Sequence, residues 1–111
     1  MPLVDADTVM SEVVITMTAK HFGCVAVVDD TGRLIGIVTD GDLRRHMDEQ
    51  LLAQKACDVM TKEPYTLPPD RLAASALRIM NERSITSIFV VEDVNPVGIV
   101  HIHDLLRAGI V

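Results

Sequence analysis

The sequence contains no tryptophan, one tyrosine and two phenylalanines among its 111 residues. With 49% of the chain apolar, its core must be built from Val, Ile, Leu, Met and Ala. No apolar run approaches the ~20 residues needed to span a bilayer as a helix, and no basic-then-apolar signal pattern opens the chain. Only two cysteines occur, Cys24 and Cys57, in unrelated contexts. They suggest no disulfide framework, and the expected setting is cytoplasmic. Basic residues are outnumbered, 10 Lys and Arg against 16 Asp and Glu, for a net charge of −6. That balance argues against a nucleic-acid surface, because phosphate backbones reward clustered cations. A phosphate-cradling G-x-x-x-x-G-K-[ST] loop is missing as well.

What the chain does contain is an internal repeat, the feature that most constrains a fold. Gly36-Ile37-Val38-Thr39 followed by Asp42-Leu43 recurs as Gly98-Ile99-Val100-His101 followed by Asp104-Leu105. Upstream of a turn the offset lengthens by one residue: Val9, Met10, Val13, Val14 and Met17 return as Leu72, Ala73, Ala76, Leu77 and Met80. Val27-Val28-Asp29-Asp30 returns as Val90-Val91-Glu92-Asp93. The change of offset falls between Asp30-Thr31-Gly32-Arg33 and Asp93-Val94-Asn95-Pro96, where a turn absorbs a length change readily.

Each copy predicts the same elements. A short extended segment (Leu3-Val4, then Tyr65-Thr66-Leu67) leads to Asp7 or Asp70 as helix N-cap. A helix with one apolar stripe follows. Next come two β-branched runs joined by a tight turn, Cys24 to Val28 with Leu34 to Val38, and Ile88 to Val91 with Val97 to Val100. A second helix starts near Asp42 or Asp104, the last one stopping at Gly109. The expected fold is α/β (α+β): two β-α-β-β-α repeats, 1–56 and 57–111, packed sheet to sheet as a pseudo-two-fold pair. Leu51 to Pro64 reads as an ordered connector rather than a flexible linker.

Taken with the connector Asp58-Val59-Met60-Thr61, the motif Gly-apolar-apolar-Thr-x-x-Asp-Leu resembles the CBS domain over essentially the whole chain. Within that family, Thr39-Asp40-Gly41-Asp42-Leu43-Arg44-Arg45 and the ending from His101 to Gly109 are similar to the C-terminal CBS pairs of bacterial arabinose-5-phosphate isomerases. The resemblance implies a regulatory pair without catalytic activity of its own, working on the N-terminal sugar-isomerase domain of a longer enzyme. No part of that domain is visible here. It further implies a homodimer formed through the CBS pair, with no membrane or nucleic acid partner. A purely structural oligomerisation module that binds no ligand is the rival reading.

The residues support a binding site on their own chemistry. A Thr just ahead of a helix start points its hydroxyl where orphan N–H groups favour an anion, and a carboxylate can accept two hydrogen bonds from a diol. Thr39 and Asp42 meet both conditions; the resemblance implies phosphate contact for the first and ribose contact for the second. Against this, Asp42 caps its helix in the simplest reading. Asp104 is its counterpart, but His101 replaces Thr39, so the two half-sites are not equivalent. His101-x-His103 invites a metal reading, yet no further His or Cys supplies a third and fourth ligand.

Lys20 and Arg83 hold equivalent places after the first helices, with Arg44, Arg45 and Arg107 on the second helices; all suit an anion, and all suit solvated helix ends. Val4, Val25 and Ala26, then Leu67, Ser87 and Ile88, correspond to strands that line the base pocket in CBS pairs, and by composition alone they read as core. Ser87 stands out as polar in an apolar strand. Cys24, in an apolar strand too, reads as inert packing rather than a nucleophile. No cofactor is required. The expected regulatory ligand is nucleotide-like: CMP-Kdo, by feedback from the pathway the isomerases serve, or AMP, ATP or S-adenosylmethionine.

Overall fold

The computed structural model describes residues 2–20, 23–71 and 73–102. The chain divides into two compact units, 1–64 and 65–111. The connector therefore falls within the first unit, eight residues beyond the boundary at 56/57 read from the repeat.

In the first unit, strands β1 (Leu3–Asp5), β2 (Cys24–Val28), β3 (Leu34–Thr39) and β4 (Thr61–Lys62) form one sheet in that order. The pair β1–β2 is parallel, and β2–β3 and β3–β4 are antiparallel. Between β1 and β2 runs α1 (Met10–Lys20), the crossover that a parallel pair needs. Its apolar stripe is buried as the spacing predicts, with Met10, Val13 and Met17 in the core against Val25, Val27 and Val38. Burying a Met or Val side chain contributes about 1.5–3 kcal/mol each. Thr16 and Thr18 donate their hydroxyls to the carbonyls one turn back, Glu12 (3.1 Å) and Val14 (3.0 Å), which lets β-branched residues stand on the exposed side of this helix.

Three expectations are corrected in detail. Asp7 does not cap α1, which starts at Met10; the chain first turns through Asp5 and Thr8, whose side chains bond each other at 3.0 Å. Asp7 lies beside Lys55 instead, at 3.6 Å. Asp70 likewise falls in a 3-10 turn, Pro69–Arg71, ahead of the helix. The connector is more than ordered: after α2 (Asp40–Arg45) and a 3-10 turn at Leu51–Ala53 it forms α3 (Ala56–Val59) and then β4, an edge strand the repeat pattern did not announce. Leu51, Ala56 and Val59 from this segment complete the first core.

The second unit repeats the plan with three strands, β5 (Thr66–Leu67), β6 (Ser87–Glu92) and β7 (Asn95–His101), and with α4 (Ala73–Arg83) between the first two. Leu67, Ala76, Met80 and Ile88 form its core. The helix ends in a left-handed residue, Ser84 (φ 56°), with Ile85 N–H returning to Met80 O at 3.0 Å. Ile85 then packs on the core, as in a Schellman ending. The equivalence is close enough that the irregularity between Val27 and Val28 recurs between Val90 and Val91. The helix expected from Asp104 to Gly109 lies outside the described residues.

The hairpin turns differ as the offset requires. In the first, Asp29 Oδ1 accepts from Thr31 N (2.9 Å), Thr31 Oγ1 (2.8 Å) and Arg33 N (3.0 Å). The Thr31 hydroxyl, then the Arg33 N–H, hold the Asp29 carboxyl below its ordinary value. In the second, a tighter turn puts Asp93 in the left-handed region (φ 59°). The sheets differ too. A Cβ built on Gly36 would lie 2.6 Å from Met60 Sδ and 2.9 Å from the Thr61 carbonyl, because β4 presses on β3 there. At the equivalent Gly98 the nearest atom among the described residues is Val90 Cβ, at 3.8 Å.

Two outcomes follow. Gly36→Ala is expected to destabilise the chain by about 1–3 kcal/mol through backbone displacement, while Gly98→Ala stays within ~0.5 kcal/mol of the parent. Urea melts of both variants check this, and equal effects would contradict the close approach of β4. Carboxyl carbon NMR should find Asp29 titrating below the ordinary ~3.9, and Thr31→Val should raise its midpoint. Because the folded value is lowered, the stability this turn gains is fully present above the unfolded pKa and disappears as pH falls through the folded one.

Candidate functional site

Thr39 ends β3 in extended conformation (φ −119°, ψ 170°) and is the N-cap of α2. The helix thus opens at Asp40, two residues before the expected start, and Asp42 takes the N3 position. The two side chains form a reciprocal capping box. Thr39 Oγ1 accepts from Asp42 N at 3.2 Å, and Asp42 Oδ2 accepts from Thr39 N at 2.9 Å and from the Thr39 hydroxyl at 3.1 Å. The box satisfies donors that a helix start leaves open.

The other carboxylate oxygen is also engaged. Asp42 Oδ1 accepts from the Arg45 guanidinium and, at 2.7 Å, from the hydroxyl of Thr61 on β4. Asp42 is 2% exposed and is the buried charged residue among the described ones. A carboxylate so far from water is tolerable only with a cation and hydrogen-bond donors around it. Gly41 makes the cation's approach feasible: a Cβ there would lie 3.3 Å from Arg45 Nη1 and 3.5 Å from Thr39 Oγ1. Capping and ion pairing are therefore what Asp42 does within its own chain.

The remaining sequence candidates separate by place. In the first unit, Val25 fills the core and Ala26 is fully buried on the opposite face of β2, level with Leu3 and Ile37. Val4 is half-buried, packs on the core, and borders an open groove of about 450 Å³ between β1 and α1. That groove carries Asp5 and Glu12, and a neighbouring one of about 360 Å³ carries Asp5, Asp7, Asp29 and Asp30. Both repel an anion. Lys20 ends α1, and its side chain lies outside the described set.

In the second unit, Leu67 and Ile88 belong to the core. Ser87 opens β6 directly across from His101, which ends β7; both are half-buried, and they occupy the register that Cys24 and Thr39 hold in the first unit. Arg83 is exposed, its guanidinium carbon 4.4 Å from the centroid of the Tyr65 ring, a cation–π contact. Asp104, His103 and Arg107 lie outside the described residues. Among the described residues no group of three or more His, Cys, Asp or Glu is placed to hold a metal, and no helix is long and apolar enough to cross a membrane. The structure thus brings together Thr39 with Asp42, and Ser87 with His101. The sequence reading missed Thr61 as a partner of Asp42; nothing in a separation of 19 residues announces it.

The family model for the CBS domain matches residues 1–49 and again 56–110. The chain is 41% identical to arabinose 5-phosphate isomerase KdsD of Yersinia pestis over 112 residues, covering 99% of this chain and 34% of that protein. It is 44% identical to the uncharacterized protein RP505 of Rickettsia prowazekii over 109 residues, 98% of this chain and 34% of the relative. It thus spans about a third of the length of these curated relatives. Among solved structures, CBSX2 in complex with AMP superposes with a TM-score of 0.84 at 22% identity, covering 98% of this chain and 87% of that one. Two family matches, falling on the two halves of the repeat, assign the chain to the CBS domain family.

Proposed function

We propose that this chain is the regulatory CBS pair of an arabinose-5-phosphate isomerase, acting in the cytoplasm, and that it binds a nucleotide or nucleotide sugar to modulate the attached catalytic domain. The observation that carries the reading is the 41% match to KdsD of Yersinia pestis along 99% of the chain. The AMP held by a structural neighbour supports the ligand class. Thr39 and Asp42 are proposed to meet the phosphate and ribose of one ligand, with Ser87, His101 and Asp104 as their unequal counterparts. Val4, Val25 and Ala26 in the first unit, and Leu67 and Ile88 in the second, are proposed to back these positions, each from within its own unit, and Lys20 and Arg83 to offer charge at helix ends.

The ligand favoured is CMP-Kdo, whose cytidine ribose suits a carboxylate and whose sugar carboxylate suits Arg or His101. AMP, ATP and S-adenosylmethionine share the ribose. Coupling to the catalytic domain should amount to ~1–3 kcal/mol and act reciprocally on ligand and substrate. A second reading, an oligomerisation module without a ligand, is favoured by two features. Ile15, Met47 and Leu52 are 66, 69 and 55% exposed in the first unit, and Asp42 is already engaged by its own chain.

A thermal-shift panel of CMP-Kdo, CMP, AMP, ATP and S-adenosylmethionine tests the proposal. At a hundred times its dissociation constant a true ligand adds roughly 2.7 kcal/mol, several degrees for a domain of this size. Asp42→Asn keeps the shape and removes the charge. It is expected to lower the stability by about 1–3 kcal/mol through the weakened bonds to Arg45 and Thr61, and to reduce the ligand shift without abolishing it. Silence across the panel, together with concentration-dependent association, would replace the sensor by the structural module.

A further inference from the structure

The two oxygens of Asp42 are not equivalent. Oδ2 is held by the backbone and hydroxyl of Thr39, three residues away, inside the capping box. Oδ1 is held by two side chains that reach it from the surface. Arg45 has a side chain 64% exposed, while Asp42's is 3% exposed. Thr61 is an exposed residue of an edge strand only two residues long. An incoming hydroxyl would break the helix cap if it took Oδ2. At Oδ1 it need only exchange with a group that water can take over.

From this we infer that the Thr61 hydroxyl is the internal occupant of the ligand's acceptor on Asp42, and that a ribose hydroxyl displaces it on binding. The inference rests on the proposal that Asp42 meets a ribose, and adds how that encounter is regulated. Thr61 becomes a positioning residue: it fills the acceptor when the ligand is absent and sets the affinity by competing for it. The exchange also reports occupancy elsewhere. Thr61 pairs with Ile37, and Lys62 with Gly36, so the bond to Asp42 is a side-chain tie reinforcing a minimal ladder. Four residues on, past Glu63 in the left-handed region (φ 52°) and Pro64, the second unit begins at Tyr65. Loss of the tie loosens the strand through which the chain enters that unit.

Thr61→Val removes the donor at nearly constant volume, and Thr61→Ser keeps it. Calorimetric titration of the 111-residue chain would use AMP and CMP as ribonucleotide probes, each beside its 2′,3′-dideoxy counterpart. Thr61→Val should bind the ribonucleotides about three- to tenfold more tightly than the parent, as expected when one competing hydrogen bond to a charged acceptor is lost. Thr61→Ser should match the parent, and the dideoxy probes should not distinguish parent from Thr61→Val. In hydrogen exchange, ribonucleotide should speed the amides of Thr61 and Lys62 in the parent.

Parent and Thr61→Val binding AMP or CMP equally overturns the competition while leaving the ligand-sensing proposal standing. An equal gain for the dideoxy probes overturns it too, showing general loosening instead of exchange at Oδ1. Binding of neither ribonucleotide to either protein removes the ribose contact itself, and this inference with it. Tighter binding confined to ribonucleotides establishes it.

Discussion

A carboxylate taken out of water must be met by donors or it gives up its charge, and in the first unit that requirement organises everything around Asp42. Its four donors come from three places in the chain: Thr39 at the end of β3, Arg45 in the last turn of α2, and Thr61 on β4. Helix α2 spans only Asp40–Arg45, too short to persist on backbone bonds alone. Its start is defined by the Thr39–Asp42 box and its end returns to the same carboxylate through Arg45. Remove the acceptor and three elements lose their common point.

The duplication preserved backbone and changed chemistry. The parallel and antiparallel pairings recur, as does the irregularity after Val27 and Val90, and each core sets one helix stripe, Met10, Val13 and Met17 or Ala76 and Met80, against its own sheet. What varies lies where the strands end and turn. Thr39 opposite Cys24 becomes His101 opposite Ser87, so both members of the pair are polar in the second unit and the hydroxyl sits on β6 instead of the β3 equivalent. The hydroxyl that caps in the first unit becomes an imidazole in the second, which offers different donors and acceptors. Among the described residues a fourth strand occurs in the first unit alone, where it presses on Gly36. Selection for packing acts on both copies alike, and these changes fall outside the two packed cores.

The elements legible in the sequence were those with a local physical signature. Both hairpins were visible because Cys24-Val25-Ala26-Val27-Val28 and Ile88-Phe89-Val90-Val91 are β-rich runs bounded by turn residues. The helix stripe through Met10, Val13 and Met17 was visible because only one spacing buries all three. Asp7 was misplaced for an equally local reason: Asp5, Thr8 and Asp7 compete for the same turn, and Asp5 with Thr8 takes it. The strand β4 had no signature, since two residues cannot show alternation; it exists because Gly36 lets Met60 and Thr61 come close. In the site, the Thr39–Asp42 pair was legible as a three-residue capping pattern. The Asp42–Thr61 bond was not, because it depends on a register between strands 22 residues apart that only the folded sheet sets.

These constraints bear on the affinity that the proposed ribose contact at Asp42 would have. Where a hydroxyl replaces another hydroxyl on one carboxylate oxygen, the hydrogen-bond count is unchanged and the net gain is small. Asp42 therefore contributes discrimination more than strength. A ligand lacking the hydroxyl leaves the internal bond intact and forgoes the contact, while one that has it makes the exchange near balance. Strength must come from the rest of the molecule, from a base removed from water and a phosphate met by donors. Such a division suits a sensor. A ligand shifts an equilibrium only by its differential affinity for the two states, and the proposed exchange, releasing β4 as Asp42 is filled, would make the bound and empty states differ at a defined bond.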